Sequence, residues 1–116
     1  MYVKHYMKLQ DKPYQMINEG IKKIEMRLYD EKRQLVKIGD LIEFSNCYTN
    51  ETMTVKVIGL HRFKNFKKLY SSFSKDLLGY LTNEQADSLD MEKYYNLEEI
   101  KKYGVIGIEI EKILDN

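Results

Sequence analysis

The segment from Thr52 to Phe63 constrains the fold more than any other. Its apolar and polar residues alternate with a period of two, which predicts a long strand. Val55 and Val57 lie on one parity, Ile58 and Leu60 lie on the other, and Gly59 sits at the changeover. A strand whose apolar face switches sides keeps both halves buried only by bending, and an interior glycine marks a bulge or sharp bend. The sheet that contains this strand must therefore be strongly curved.

The rest of the chain supplies partners for it. Val3, His5, Met7 and Leu9 alternate with Tyr2, Lys4, Tyr6 and Lys8, predicting a strand over 3–9. Asp11 is placed to cap a helix with Pro13 in its first turn, ending at Gly20. Ile24, Met26 and Leu28 form one face of a second strand, 22–28. Asp30 to Val36 reads as a short helical turn, and Ile38-Gly39-Asp40 turns into a strand over 41–47. Thr49-Asn50 closes a hairpin onto the long strand.

Phe63, Phe66, Leu69, Tyr70 and Phe73 then recur at helical spacing, predicting a helix over 64–73 with Lys64, Lys67 and Lys68 off its apolar face. Two or three short helices follow, the last capped by Asn96 and ended by Tyr103-Gly104. A final strand, 105–112, alternates Ile106, Ile108 and Ile110 with Gly107, Glu109 and Glu111. Five strands with bends and several helices predict an α+β chain. Its sheet is expected to be small and strongly curved or closed into a barrel, flanked by short helices. Ile24, Met26, Leu41, Val57, Ile106 and Ile108 are expected in its core.

The chain has 116 residues, the size of one domain, 1–116, and 43% hydrophobic residues with no low-complexity run. A lone cysteine, Cys47, cannot form an internal disulfide and fits a reducing compartment. No apolar run resembles a signal peptide or a membrane helix, so a cytoplasmic location and no membrane partner are expected. His5, His61 and Cys47 lack metal-ligand spacing, and no metal or cofactor is expected. Oligomeric state is not legible.

The net charge of +1 hides an asymmetry. Residues 1–75 hold 15 basic against 8 acidic side chains, and residues 76–116 hold 4 against 10. Between Met53 and Lys75 there are six basic residues and no acidic one. Such a segment can draw in phosphates, or simply fold against the acidic half.

Gly20-Ile21-Lys22-Lys23-Ile24-Glu25-Met26-Arg27 carries the chemistry. Strand parity puts Lys23, Glu25 and Arg27 on one face, with Lys22 opposite unless it sits in the preceding turn. From that turn Lys22 can pair with Glu25 at the rim of a cleft. Arg27 and Arg33 offer forked donors for a phosphate or a base edge. The same residues also fit a set of structural ion pairs tying the strand to the Asp30–Arg33 turn.

The run Gly20, Lys22, Glu25, Arg27 after a first helix resembles the signature of the ASCH domain, a branch of the PUA-like β-barrels. The Asp30-Glu31-Lys32-Arg33 run, the Gly39-to-Phe44 strand and the Tyr103-to-Gly107 close are similar to those of small bacterial members. The resemblance implies a mixed barrel of five or six strands with a cleft beside the signature strand. It also implies binding of RNA or a nucleotide-sized ligand there. The ligand-binding candidates are Lys22, Glu25, Arg27, Lys32, Arg33, His61, Arg62, Lys64, Lys67 and Lys68, with Tyr70, Tyr94 and Tyr95 available for stacking on bases.

One branch of that family hydrolyses the acetyl amide of acetylated cytidine with a Lys, a Thr and a Glu. Here Lys22 matches, Glu25 stands where the Thr belongs, and 67–74 offers no acid. A small hydrolase acting on a modified nucleoside or on RNA phosphodiesters, with Lys22 and Glu25 as its acid–base pair, is the alternative to a binder. A protein-interaction domain of toxin–antitoxin type is a third reading. His5, on an apolar strand face, reads as a hydrogen-bonded interior histidine.

Overall fold

The computed structural model describes residues 2–113. Strand β1 (Lys4–Leu9) leads into helix α1 (Asp11–Asn18), and a turn at Gly20 delivers β2 (Ile24–Leu28). A single helical turn, α2 (Glu31–Gln34), precedes the hairpin of β3 (Leu41–Asn46) and β4 (Thr52–Phe63). Three short helices follow: α3 (Phe66–Tyr70), α4 (Lys75–Leu78) and, after a 3-10 turn over Ser88–Lys93, α5 (Leu97–Tyr103). Strand β5 (Val105–Lys112) closes the chain into the sheet.

All five strands belong to one sheet in the order β1-β3-β4-β5-β2. β1 runs parallel to β3, and the other neighbours are antiparallel. The ladder between β4 and β5 shifts register between Val57 and Gly59, the bulge expected from the parity switch. A Cβ on Gly59 would meet the Glu109 carboxylate oxygen at 2.7 Å, so only glycine fits the bend without displacing that side chain. The sheet curls into an open half-barrel whose two free edges are β1 and β2.

Each sheet face has its own core. On one, Met7, Leu9, Ile42, Phe44, Val55, Val57, Ile106, Ile108 and Ile110 pack with Tyr14 and Ile17 of α1. On the other, Ile24, Met26, Leu28 and Val105 pack against Phe66, Leu69, Leu78 and Ile100 from the helices. Truncating a fully buried residue such as Phe44 leaves a cavity costing about 3–5 kcal/mol.

Several local expectations are corrected. The cap of α1 is Gln10, and Asp11 instead accepts from Asn46 (2.9 Å) and Gln15 (3.2 Å). β2 starts at Ile24, leaving Lys22 and Lys23 in the turn. Leu41 is only half-buried, because the register of β3 turns Ile42 and Phe44 inward. The helix over 64–73 shrinks to Phe66–Tyr70: Asn65 caps its start by accepting from the Lys68 N–H, and Ser71 and Ser72 bond back to the Lys68 carbonyl. Val3 is exposed, while His5 is held by the buried Asp40 at 2.8 Å, which also accepts from the backbone of Val3 and Lys37.

Candidate functional site

The half-barrel leaves a gap between its two edge strands, and there a cavity of about 540 Å³ opens. Its floor is the end of β1 and the middle of β2, and its wall is the helical segment from Tyr70 to Tyr95. Arg27 of β2 bridges the gap by donating Nη2 to the Lys8 carbonyl of β1 at 2.7 Å. Lys32 does the same for the Tyr6 carbonyl at 3.0 Å. Two cationic side chains thus occupy acceptors that an open sheet edge would otherwise expose.

Under Arg27 lies a buried ionic cluster. The Lys22 ammonium donates to the Ile24 carbonyl (2.6 Å) and the Leu78 carbonyl (3.0 Å), and lies 3.4 Å from Glu25 Oε1. Three acceptors match its three N–H groups. Glu25 Oε2 accepts from Arg27 Nε at 2.7 Å. Lys22 and Glu25 are 4% and 5% exposed, so this chain of charges runs through the interior rather than over a surface. Gly79 lets Lys22 pass: its φ is +102°, and a Cβ there would lie 2.9 Å from Lys22 Cδ.

Burial pulls the Lys22 amine down, with Glu25 acting against it. Burial also opposes ionisation of Glu25, but the charges of Arg27 and Lys22 outweigh it and hold the carboxyl below its usual range. Glu25 is therefore an ionised anchor and a weak base.

The opposite wall is aromatic. Tyr80 donates to Asp90 Oδ2 (2.7 Å) and shares a hydrogen bond with Tyr70 (2.8 Å). Burial and those partners push the Tyr80 phenol upward, so it stays protonated. Tyr95 stacks on Phe66 with centroids 5.8 Å apart and presents its phenol to Arg27. Tyr94 projects at the mouth, 65% exposed. Lys12 at the rim is paired with Glu84 at 2.6 Å, which also fastens the loop before the 3-10 turn. Arg33 reaches in from α2, tied to Asp30 through Nη1 at 3.1 Å while its buried Nε has no partner among the described residues.

Of the residues picked out by sequence, Lys22, Glu25, Arg27 and Arg33 line this cavity, together with Tyr70, Tyr94 and Tyr95. Lys32, His61, Arg62, Lys64, Lys67 and Lys68 do not. His61 follows the bulge to the sheet's other face, where it bonds Glu109 at 2.9 Å and meets Phe73 edge-on. Arg62 stacks on Tyr29 at 4.1 Å. Arg62 and Lys64 instead share a shallow basic hollow with Lys101 and Lys102. Lys67 and Lys68 project from α3 into solvent. Sequence reasoning missed Tyr80, Asp90 and Gly79. Their signal, a Tyr beside a glycine and an acid ten residues on, is too common to stand out.

The curved mixed sheet with a charged cavity beside the strand after the first helix defines a PUA-like domain. The sequence model of the ASCH domain matches residues 7–114, and the chain belongs to the ASCH domain family. It is similar to the crystal structure of "hypothetical protein PH0355", at 35% identity and a TM-score of 0.80, over 96% of this chain and 100% of that one. The solution NMR structure of PF0455 from Pyrococcus furiosus is similar at 32% identity and a TM-score of 0.72, over 97% and 100%. A mutant of ZmASCH from Zymomonas mobilis shares the fold alone, at 11% identity and a TM-score of 0.68, over 93% and 67%. No curated protein matches the chain. ASCH domains are generally linked to RNA binding or to hydrolase activity. No described helix is long and apolar enough to cross a membrane.

Proposed function

We propose that this protein binds RNA through one nucleoside-sized unit held in the cavity between β1 and β2. The observation that carries the reading is the composition of the lining. Five cationic side chains (Lys8, Lys12, Lys22, Arg27, Arg33) stand against two anionic ones, opposite a wall of four tyrosines. Bases stack on aromatic rings without regard to sequence, and the phosphates and base carbonyls seek fixed donors. Tyr94 at the mouth is the ring best placed for stacking, and Arg33, with its unpartnered Nε, is the free donor.

Lys22 and Glu25 take a positioning role in this reading. Every N–H of Lys22 already has an acceptor, and Glu25 is held ionised between two cations. That arrangement fixes Arg27 over the gap but offers neither a free amine nor an effective base. The hydrolytic alternative needs one of them to change partners when substrate arrives.

Titration with nucleosides and short single-stranded RNA, followed by NMR, tests the proposal. Shifts centred on Arg27, Arg33 and Tyr94, weakened by Arg33→Ala, are expected. Shifts confined to the basic hollow at Lys64 and Lys101 would overturn it. Acetate release from acetylcytidine, lost in Lys22→Ala, would establish the hydrolytic reading instead.

A further inference from the structure

Antiparallel pairing gives every residue of β2 one of two orientations. Ile110 donates to the Lys23 carbonyl and Tyr29 donates to the Gly104 carbonyl, so odd-numbered residues of β2 exchange hydrogen bonds with β5. Even-numbered residues point their backbone groups at the free edge, toward the gap. The Ile24 carbonyl is taken by Lys22, and Leu28 lies outside the cavity lining. Met26 lies between them. Its N–H and C=O have no partner among the described residues, although the residue is 7% exposed and lines the cavity.

Backbone groups buried without partners are rare, and each such group costs free energy comparable to a lost hydrogen bond. Two on one residue, at the floor of a cavity with an aromatic wall, mark a place where a ligand supplies the missing bonds. We infer that the Met26 backbone is the base-reading element of the cavity. It recognises a nucleobase edge that carries a donor and an acceptor side by side, as the imide edge of uracil does. Arg33, which lines the same cavity with its Nε unpartnered among the described residues, adds a donor, and this favours bases rich in carbonyl oxygens. An extended peptide is the weaker candidate. Met26 is the one free-edge residue of β2 that lines the cavity, whereas strand addition draws on a row of open backbone groups. Because the groups belong to the main chain, no side-chain motif reveals them. The inference rests on the nucleoside reading above and adds the chemistry that selects the base.

The test uses uridine, 3-methyluridine, which lacks the imide N–H, and 5-methyluridine, whose extra methyl lies away from that edge. Uridine should shift the Met26 amide resonance and slow its hydrogen exchange, with 5-methyluridine close behind and 3-methyluridine roughly tenfold weaker. Replacing the Met26 amide by an ester, which keeps the side chain, removes the N–H and weakens the Glu25 carbonyl as an acceptor, should weaken uridine binding by a similar factor. Stability should fall only slightly, through the weakened Glu25 carbonyl that pairs with Ile108, because the lost N–H has no partner among the described residues. Uridine binding that shifts Arg27 and Tyr94 but leaves the Met26 amide unmoved, with 3-methyluridine binding equally well, would overturn the inference and leave the nucleoside reading standing. Binding by no nucleoside would overturn both. So would an extended peptide that shifts Met26 where nucleosides do not.

Discussion

Two regions of this protein carry concentrated positive charge, and they are built in opposite ways. Around Lys22 and Arg27 each charged group is interior and held by named partners at 2.6–3.4 Å. Along 61–68, Arg62, Lys64, Lys67 and Lys68 are exposed, and none of them forms an ion pair among the described residues. The first arrangement fixes geometry at the expense of stability whenever one member is lost. The second contributes a field that salt screens within about 10 Å. Linear charge density points to the second region, whereas burial with partners points to the first.

The sharpest way to break this comparison is Glu25→Ala. Removing the shared carboxylate leaves Lys22 and Arg27 buried without their counter-charge, so a loss of about 3–5 kcal/mol is expected by urea unfolding. Lys68→Ala should leave the unfolding midpoint unchanged. Equal effects would erase the distinction.

The acid limb of stability sharpens it further. Glu25 and Asp40 both have folded pKa values below their unfolded ones, so the unfolded chain binds more protons at low pH. Their contribution is present above 4.5 and 3.8 respectively, and is lost as pH falls through the lower folded values. Lys22 has the same sign: its depressed value makes stability rise as pH climbs toward 10.5. Urea midpoints measured at several acid pH values should therefore fall more steeply for the wild type than for Glu25→Gln, whose remaining slope comes from Asp40 and the other carboxyls held low, Asp11, Glu31, Asp76 and Glu84.

Smaller effects are expected on binding. Tyr94→Ala removes a largely exposed ring, so folding should be intact while nucleoside affinity drops roughly 5- to 150-fold, the range for one lost base stack. The smallest effect is the joint change of Lys64, Lys67 and Lys68 to Ala. It should leave nucleoside affinity within about twofold. For longer RNA it should flatten the salt dependence by about 0.7 per phosphate contact removed. A triple variant that loses nucleoside binding would place the ligand on α3 rather than in the gap.

How much of this was legible follows from the physics of each signal. Period-two alternation located all five strands, and the parity switch at Gly59 located the bulge, because both depend only on local side-chain placement. The cap at Asn96 was legible for the same reason, its side chain accepting from Glu99 at 2.8 Å. Helix ends over 64–73 were not, since they are set by the Asn65 cap and by Ser71 and Ser72 turning back to the Lys68 carbonyl rather than by the apolar period. Within the site, Lys22 and Glu25 emerged from the signature run. Tyr80 and Asp90 come from a segment with no periodic pattern, brought in by the 3-10 turn. The unpartnered Met26 backbone leaves no trace in residue identity, because only the ladder's register exposes it.

The pairing of β2 with β5 has a kinetic consequence. The β3–β4 hairpin joins neighbours in sequence, but β2 must wait for a strand that lies beyond all the other elements of the chain. Long loops close slowly, so contacts of this separation form late on the folding path. The gap beside β2 therefore takes shape only after the rest of the sheet has assembled. A partly folded chain presents the hairpin and its apolar faces but no cavity, so binding at the proposed site would itself report that folding is complete.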